Sequence, residues 1–414
     1  MCGNKKDDRH EEHVWLMEPS IPRGHNVLTP AGADNIAQHK YKSGVYTPLD
    51  NFFSANVWGP ITNSFPMWLA PNLVTMVGGM FCLMSFLVSN AYIPESANWQ
   101  LVEVPRWLFA FNGLCHCFYF TLDGCDGKQA RRTNSSTPLG QLFDHGMDCL
   151  VTLNHLQWLQ CFLQFPPHLA IFIQVVVQYS FWLAQWEEFY TGILPHSTFD
   201  GKVGVTELNY GIALWSIGHS LFGRGLYDII LIETPPSFVE QYWTGENQPF
   251  QVKHAFALYW CVLVPIVFVS VPSWMRVHHH LNSNNKGHLF FSAMSKLVSP
   301  LLLVIVGVWG LTDSVKARSN VISLGLGMCF CMITIKLIVF GMARMAYASI
   351  QMDILPLVIV AVYAKFNKIN DPVLFQVLDC WYLLRLLYWT HQAIQQLCER
   401  LNIQLFRIPY QKGE

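Results

Sequence analysis

The chain has 414 residues, of which 52% are hydrophobic and only 13% charged, with a mean hydropathy of +0.27. Charged residues make up about a quarter of a soluble globular protein, so this composition points to a membrane protein. A net charge of -1 gives no reason to expect nucleic acid as a partner.

Taken in chain order, the expected fold is all-α: a polytopic membrane protein of about ten transmembrane helices with an interfacial N-terminal segment. Residues 1–45 read as a cytosolic N-terminal tail. The opening MCGNKKDDRHEEH is polar and has no apolar core of a signal peptide. Cys2, not glycine, follows Met1, which excludes myristoylation. Residues 46–65, YTPLDNFFSANVWGPITNSF, mix aromatics with turn formers, as a segment lying along the interface does. Ten runs long enough to span follow, near 68–90, 106–123, 142–164, 167–190, 204–232, 254–274, 289–311, 321–344, 352–367 and 373–397. The fifth is interrupted by Gly211, Gly218, Gly223 and Arg224, and the ninth is short. The run His278-His279-His280 is expected in a solvated cytosolic loop. Residues 401–414 read as a cytosolic C-terminal tail. With the N-terminus in the cytosol, 16 of the 26 Lys and Arg lie on the cytosolic side and six on the other, which supports that orientation. Most of the twelve cysteines sit inside apolar runs as small packed hydrophobes, and no disulfide is implied.

One stretch breaks this pattern. Residues 123–148 read DGCDGKQARRTNSSTPLGQLFDHGMD, with four aspartates at the end of a greasy segment. Asp123 and Asp126 are spaced i, i+3, and Asp144 and Asp148 are spaced i, i+4, so each pair shares a helix face. A linker over about 132–139, containing Pro138, lets the two helices run antiparallel and brings the four carboxylates together. Left alone, each would cost about 2.5–3.5 kcal/mol at the membrane centre, and somewhat less near the interface. Divalent cations relieve that cost, and an all-oxygen ligand set suits Mg2+, Mn2+ or Ca2+ better than zinc. Four acidic ligands could hold two ions about 3.5–4 Å apart. Lys128, Arg131 and Arg132 bring positive charge suited to phosphate. Gly124, Gly127 and Gly140 clear room for a flat base or a diphosphate.

The stretch fits D-x2-D-G-x2-A-R-x8-G-x3-D-x3-D at every fixed position, through Asp123, Asp126, Gly127, Ala130, Arg131, Gly140, Asp144 and Asp148. It resembles the signature of the CDP-alcohol phosphotransferases. GKQARRTNSSTPLG and LFDHG resemble the eukaryotic choline/ethanolamine phosphotransferase branch, and the likeness extends to FPMWLAPNLVT (65–75), WEEFYTGIL (186–194), VTE (205–207) and LNIQLFRI (401–408). The resemblance implies catalytic helices over 66–232. It implies further transmembrane helices over 233–400, with the acceptor path and the contacts of a possible homodimer. It implies transfer of phosphoethanolamine, or phosphocholine, from CDP-ethanolamine or CDP-choline to diacylglycerol in the membrane, with release of CMP. A choline-preferring or dual-specificity enzyme is the near alternative. The setting would be the endoplasmic reticulum or Golgi membrane, with the active site facing the cytosol.

The resemblance also assigns residues. Asp123, Asp126, Asp144 and Asp148 would be ligands of two divalent ions, Mg2+ or Mn2+. Gly127, Ala130 and Gly140 would pack on the cytidine, and Arg131 would contact the diphosphate. Asn72 and Thr75, from P-N-x-x-T, would face the nucleotide, although Asn72 reads equally as a helix start. The base for the acceptor hydroxyl is either His145, whose ordinary pKa lies near neutrality, or Asp148. Trp186, Glu187 and Tyr190 offer an aromatic face with an acid beside it, as ammonium groups require; an interfacial aromatic belt is the plainer reading. WEEFYTGIL is similar to the ethanolamine-specific members, which favours CDP-ethanolamine. The intramembrane Lys296, Lys336 and Arg385 suggest a transporter as a more remote alternative.

Overall fold

The computed structural model describes residues 27–92, 104–163, 167–198, 201–223, 230–234, 250–310, 312–367 and 372–408. Several helices begin where the sequence supplies proline: α1 (Pro30–Ala37), α2 (Pro48–Phe53), α4 (Pro71–Tyr92), α6 (Pro138–Leu163), α7 (Pro167–Thr191) and α14 (Pro372–Leu401). At a first helical position the missing N–H is an orphan in any case. The remaining helices are α3 (Gly59–Ser64), α5 (Arg106–Arg132), α8 (Val205–Phe222), α9 (His254–Ser283), α10 (Phe290–Ser295), α11 (Val298–Ile305), α12 (Thr312–Ala343) and α13 (Leu355–Asn367). Two small antiparallel pairs, β1 (Ser197–Thr198) with β2 (Val203–Gly204) and β3 (Ile230–Thr234) with β4 (Phe250–Lys253), qualify the all-α expectation.

Among the described residues, three helical stretches are long and apolar enough to cross a membrane: Pro71–Tyr92, Gly287–Trp309 and Ser323–Ala343. They correspond to three of the ten expected runs, and the molecule is a mostly helical membrane protein. α13, at 13 residues, is too short to count, while most of the others are long enough. The long helices α6 and α7 carry Asn154, His155, Gln157, Gln174, Gln178 and Gln185, all buried, which lowers their hydropathy. Gln174 Nε2 donates to Ser323 O at 2.7 Å, and Gln178 Nε2 to Gly327 O at 3.3 Å, tying α7 to α12.

Several expected boundaries move. The run 204–232 is not one helix: α8 stops at Phe222, and Gly223 follows at φ 70°, a conformation that favours glycine. Residues 224–229, with Arg224, lie outside the described residues, and 230–234 are a strand. The second run continues as helix past the first two aspartates of the acidic stretch to Arg132. α9 likewise continues to Ser283, so His278-His279-His280 sit on its last turns and not in a loop. Nothing in HHHLNS breaks a helix; the chain turns only at Asn285, with φ 58°.

The core centres on α12, which packs against α6, α7 and α14 and is buried nearly all round. α4 and α8 cover α5 in a second layer. Two of the intramembrane charges are paired with one acid: Lys336 Nζ lies 2.5 Å and Arg385 Nε 3.1 Å from the carboxylate of Asp353, and Tyr382 donates to the Asp353 carbonyl at 2.8 Å.

Both expected tails are docked where they are described. Residues 1–26 and 409–414 lie outside the described residues. From residue 27 onward, Leu28 and Ile36 are buried, α1 packs on α12 and α14, and Asn35 Nδ2 donates to Ala343 O at 3.0 Å. The interfacial segment is pinned to α5. Arg132 Nη1 donates to Thr62 O (3.1 Å) and Phe65 O (2.7 Å), closing the end of α3, and Lys128 Nζ donates to Ser54 Oγ at 2.6 Å. Two of the three cations expected beside phosphate therefore hold this segment.

Candidate active site

The acidic stretch folds as a helix end, a turn and a helix start. α5 runs out at Arg132, Asn134 turns the chain at φ 52°, and Thr137 Oγ1 accepts the Gly140 N–H at 3.2 Å to start α6. This turn sets the end of α5 beside the start of α6. One carboxylate oxygen each from Asp123, Asp126 and Asp144 lies within 4.8 Å of the others. Asp148 stands one turn further along α6, its Oδ1 accepting from the Tyr119 hydroxyl at 2.7 Å. Thr75 hydrogen-bonds Asp126 from behind the cluster and does not line the cleft described next.

Asp123 Oδ1 and Asp144 Oδ1 are buried with no hydrogen-bond partner. Buried acceptors are normally satisfied. Two buried oxygens without donors, close to a third carboxylate, form a donor set that fits a hard divalent cation. Of the four expected carboxylates, three converge and the fourth, Asp148, is held by Tyr119.

Beside the cluster opens a cleft with a free volume of about 890 Å3, its open mouth included. Its walls include Asn72 from α4, Asp126, Gly127, Ala130 and Arg131 from α5, and Gly140, Gln141, Asp144 and His145 from α6. All the residues expected at the nucleotide except Thr75 line it. Side-chain carbons added at Gly127 or Gly140 would meet nothing closer than 3.6 Å, so both glycines leave open space where a flat ring could approach. Asn72 is inside α4, not a cap, and its Nδ2 donates to Leu405 O at 2.8 Å. That bond brings in the C-terminal segment: Gln404, Leu405 and Arg407 also line the cleft. Tyr41, from the expected N-terminal tail, completes the mouth. Neither contribution was read from the sequence, where LNIQLFRI marked the C-terminal segment by resemblance only.

His145 faces this cleft. Its Nε2 lies 3.8 Å from Asp144 Oδ2, its Nδ1 is buried without a partner, and the Tyr41 ring stands edge-on to it at 5.7 Å. The imidazole is therefore beside the carboxylate cluster with one nitrogen uncommitted.

Residues 68–219, from just before α4 to near the end of α8, match the family CDP-alcohol phosphatidyltransferase. The chain carries a CDP-alcohol phosphatidyltransferase domain. Relatives extend the likeness well beyond the domain. The chain is 28% identical to mouse (Mus musculus) ethanolaminephosphotransferase 1 over 408 residues, 93% of this chain and 95% of that one. It is 28% identical to Arabidopsis thaliana choline/ethanolaminephosphotransferase 2 over 399 residues, 91% of this chain and 97% of that one. Over 203 residues it is 33% identical to chicken (Gallus gallus) cholinephosphotransferase 1, 49% of this chain and 58% of that one.

The end of α7, within the same phosphatidyltransferase domain, departs from expectation. Trp186 is buried, with Nε1 donating to Ala293 O at 3.0 Å, and Tyr190 packs against it, ring centroids 5.6 Å apart. Glu187 accepts from Arg276 Nε and Nη2 at 2.5 and 2.8 Å and from Ser273 Oγ at 2.6 Å. None of the three lines the cleft. α7 turns them onto α9 and α10 and leaves Glu188 toward α6. Glu187→Gln removes the charge from three hydrogen bonds, and charge-assisted bonds contribute about 1.5–3 kcal/mol each. The expected result is a lower melting temperature with an unchanged ratio of turnover on CDP-choline and CDP-ethanolamine. A shift in that ratio would return Glu187 to the head group.

Proposed function

We propose that this chain transfers phosphoethanolamine, or phosphocholine, from the CDP-alcohol to the hydroxyl of diacylglycerol and releases CMP. The observation that carries the reading is the convergence of three carboxylates, one buried and two half-buried, with Arg131 at a cleft whose glycines leave room for a base. Asp123, Asp126 and Asp144, with Asp148 one turn away, would hold two Mg2+ or Mn2+ ions. Those ions, when bound, neutralise the diphosphate and stabilise the charge that collects on departing CMP.

The chain's own residues do the rest. Arg131 forks onto the diphosphate. Gly127, Ala130 and Gly140 let the cytidine pack against the helix faces, and Asn72, tied to Leu405, holds the far wall. His145 takes the proton of the acceptor hydroxyl as its oxygen bonds to the phosphorus bearing the alcohol and the bond from that phosphorus to CMP breaks. The Asp148 oxygen engaged by Tyr119 makes it the weaker candidate for base. The cleft sits at the cytosolic ends of α5 and α6, so a soluble nucleotide and a lipid hydroxyl reach one phosphorus. Endoplasmic reticulum or Golgi membrane suits that arrangement. Pairing of Lys336 and Arg385 with Asp353 accounts for two of the three charges that suggested a transporter.

The test uses purified protein in lipid nanodiscs containing diacylglycerol, offered CDP-ethanolamine and CDP-choline separately, with and without Mg2+ or Mn2+. Metal-dependent CMP release with formation of the matching phospholipid is expected. No CMP release in any combination would overturn the reading.

A further inference from the structure

α7 ends in WEEFYT, and its adjacent glutamates have different fates. Glu187 is matched by Arg276 and Ser273. Glu188 Oε1 accepts from Gln141 Nε2 at 2.7 Å, and among the described residues no Lys or Arg pairs with Glu188. Gln141 is a wall residue of the cleft, three residues before Asp144 on α6. An unmatched carboxylate thus lies directly behind a residue of the cleft wall, on the side of Asp144 and the carboxylate cluster.

The N-terminal segment supplies the opposite wall. Tyr41 stands edge-on to His145, and its hydroxyl bonds His196 Nε2 at 2.7 Å; Tyr46 stacks on His196 with centroids 5.2 Å apart. His39 Nε2 donates to Gln141 Oε1 at 2.8 Å, which aims the Gln141 amide at Glu188. Desolvation, then the charges of Asp144 and Glu188, pushes the Tyr41 phenol above its usual range, so the hydroxyl stays protonated within electrostatic reach of both carboxylates. Burial lowers the His196 imidazole, which keeps it neutral as the acceptor. The enclosure has an aromatic side and an anionic side.

We propose that Glu188, with Gln141 and Tyr41, forms the subsite for the ammonium end of the CDP-alcohol. The inference rests on the proposed function above. A primary ammonium donates to the Glu188 carboxylate, and the Tyr41 ring supplies an aromatic surface to the positive charge. A quaternary ammonium has no N–H and uses the ring and the charge alone. Choice of head group therefore sits one residue beyond the glutamate that the sequence suggested.

The experiment measures CMP release by full-length protein in diacylglycerol nanodiscs for wild type, Glu188→Gln and Tyr41→Leu, with each CDP-alcohol, and product inhibition by CMP. CMP carries the nucleotide half without the head group, so its inhibition constant reports on an intact cleft. Glu188→Gln is expected to raise KM for CDP-ethanolamine about ten- to a hundredfold, the worth of a charge-assisted hydrogen bond. It should raise KM for CDP-choline less and leave CMP inhibition unchanged. KM for CDP-ethanolamine within twofold of wild type would overturn the proposal. If Glu188→Gln fails to fold, Tyr41→Leu decides: a raised KM for either CDP-alcohol with unchanged CMP inhibition supports the subsite, and unchanged KM for both overturns it. Wild-type protein inert toward both CDP-alcohols would instead sink the proposed function.

Discussion

Asp123→Asn is expected to reduce CMP release by about a thousandfold, the scale on which losing one preorganised charge contact in a transition state is felt. The substitution is nearly isosteric, and it replaces one oxygen of a carboxylate that has a buried atom without a donor. Its effect on stability separates a ligand from a structural residue. Three carboxylates within 4.8 Å repel one another when no cation is present. Removing one charge should leave the metal-free melting temperature equal to or above that of wild type. Wild type should gain stability with added Mn2+, by about 2.7 kcal/mol at a hundred times the dissociation constant, and Asp123→Asn should lose most of that gain. Thermal melts with and without Mn2+, run beside the CMP assay, check both halves. Turnover within tenfold of wild type, or an undiminished metal-induced rise, would remove Asp123 from the metal site.

The acidic stretch was legible because its information is local. Spacings of three and four residues fix which side chains share a helix face, and a short linker with proline allows an antiparallel return, so the sequence brings Asp123, Asp126, Asp144 and Asp148 together, of which the first three converge. Gly127, Ala130, Arg131 and Gly140 came with them because they lie on the same two helix ends. What failed depends on distant packing. Glu187 and Glu188 are chain neighbours, and only the seating of α7 on α9 and α10 decides which is matched by Arg276 and which faces Gln141. The walls formed by Tyr41 and by Gln404 to Arg407 come from polar ends of the chain that read as solvated tails; Asn72 and Leu405 meet across 333 residues. The count of spans suffered for a related reason. Gln174 and Gln178 lower the hydropathy of α7, yet they are buried because α12 offers them carbonyls.

Asp353→Ala is expected to be the most destabilising single change in the C-terminal half, by about 3–5 kcal/mol, the cost of leaving a buried charge without its partner. Lys336 is almost wholly buried, 3% of its side chain exposed, and its ammonium lies against Asp353. Arg385 approaches the other carboxylate oxygen but keeps 27% of its side chain exposed, so it can turn its guanidinium toward water when the acid is gone. Lys336 has no such route, and it carries most of the penalty. The asymmetry predicts how the pair should rescue. Lys336→Met/Asp353→Leu removes the buried cation together with the buried anion, and well-packed apolar replacements of ion pairs are often neutral or stabilising. The double variant should therefore melt well above Asp353→Ala. Both positions are absent from the cleft walls, so the rescued protein should release CMP near the wild-type rate. A double variant that folds but has lost turnover would show that these charges serve the reaction or its acceptor, and that their pairing is more than a support for α12, α13 and α14.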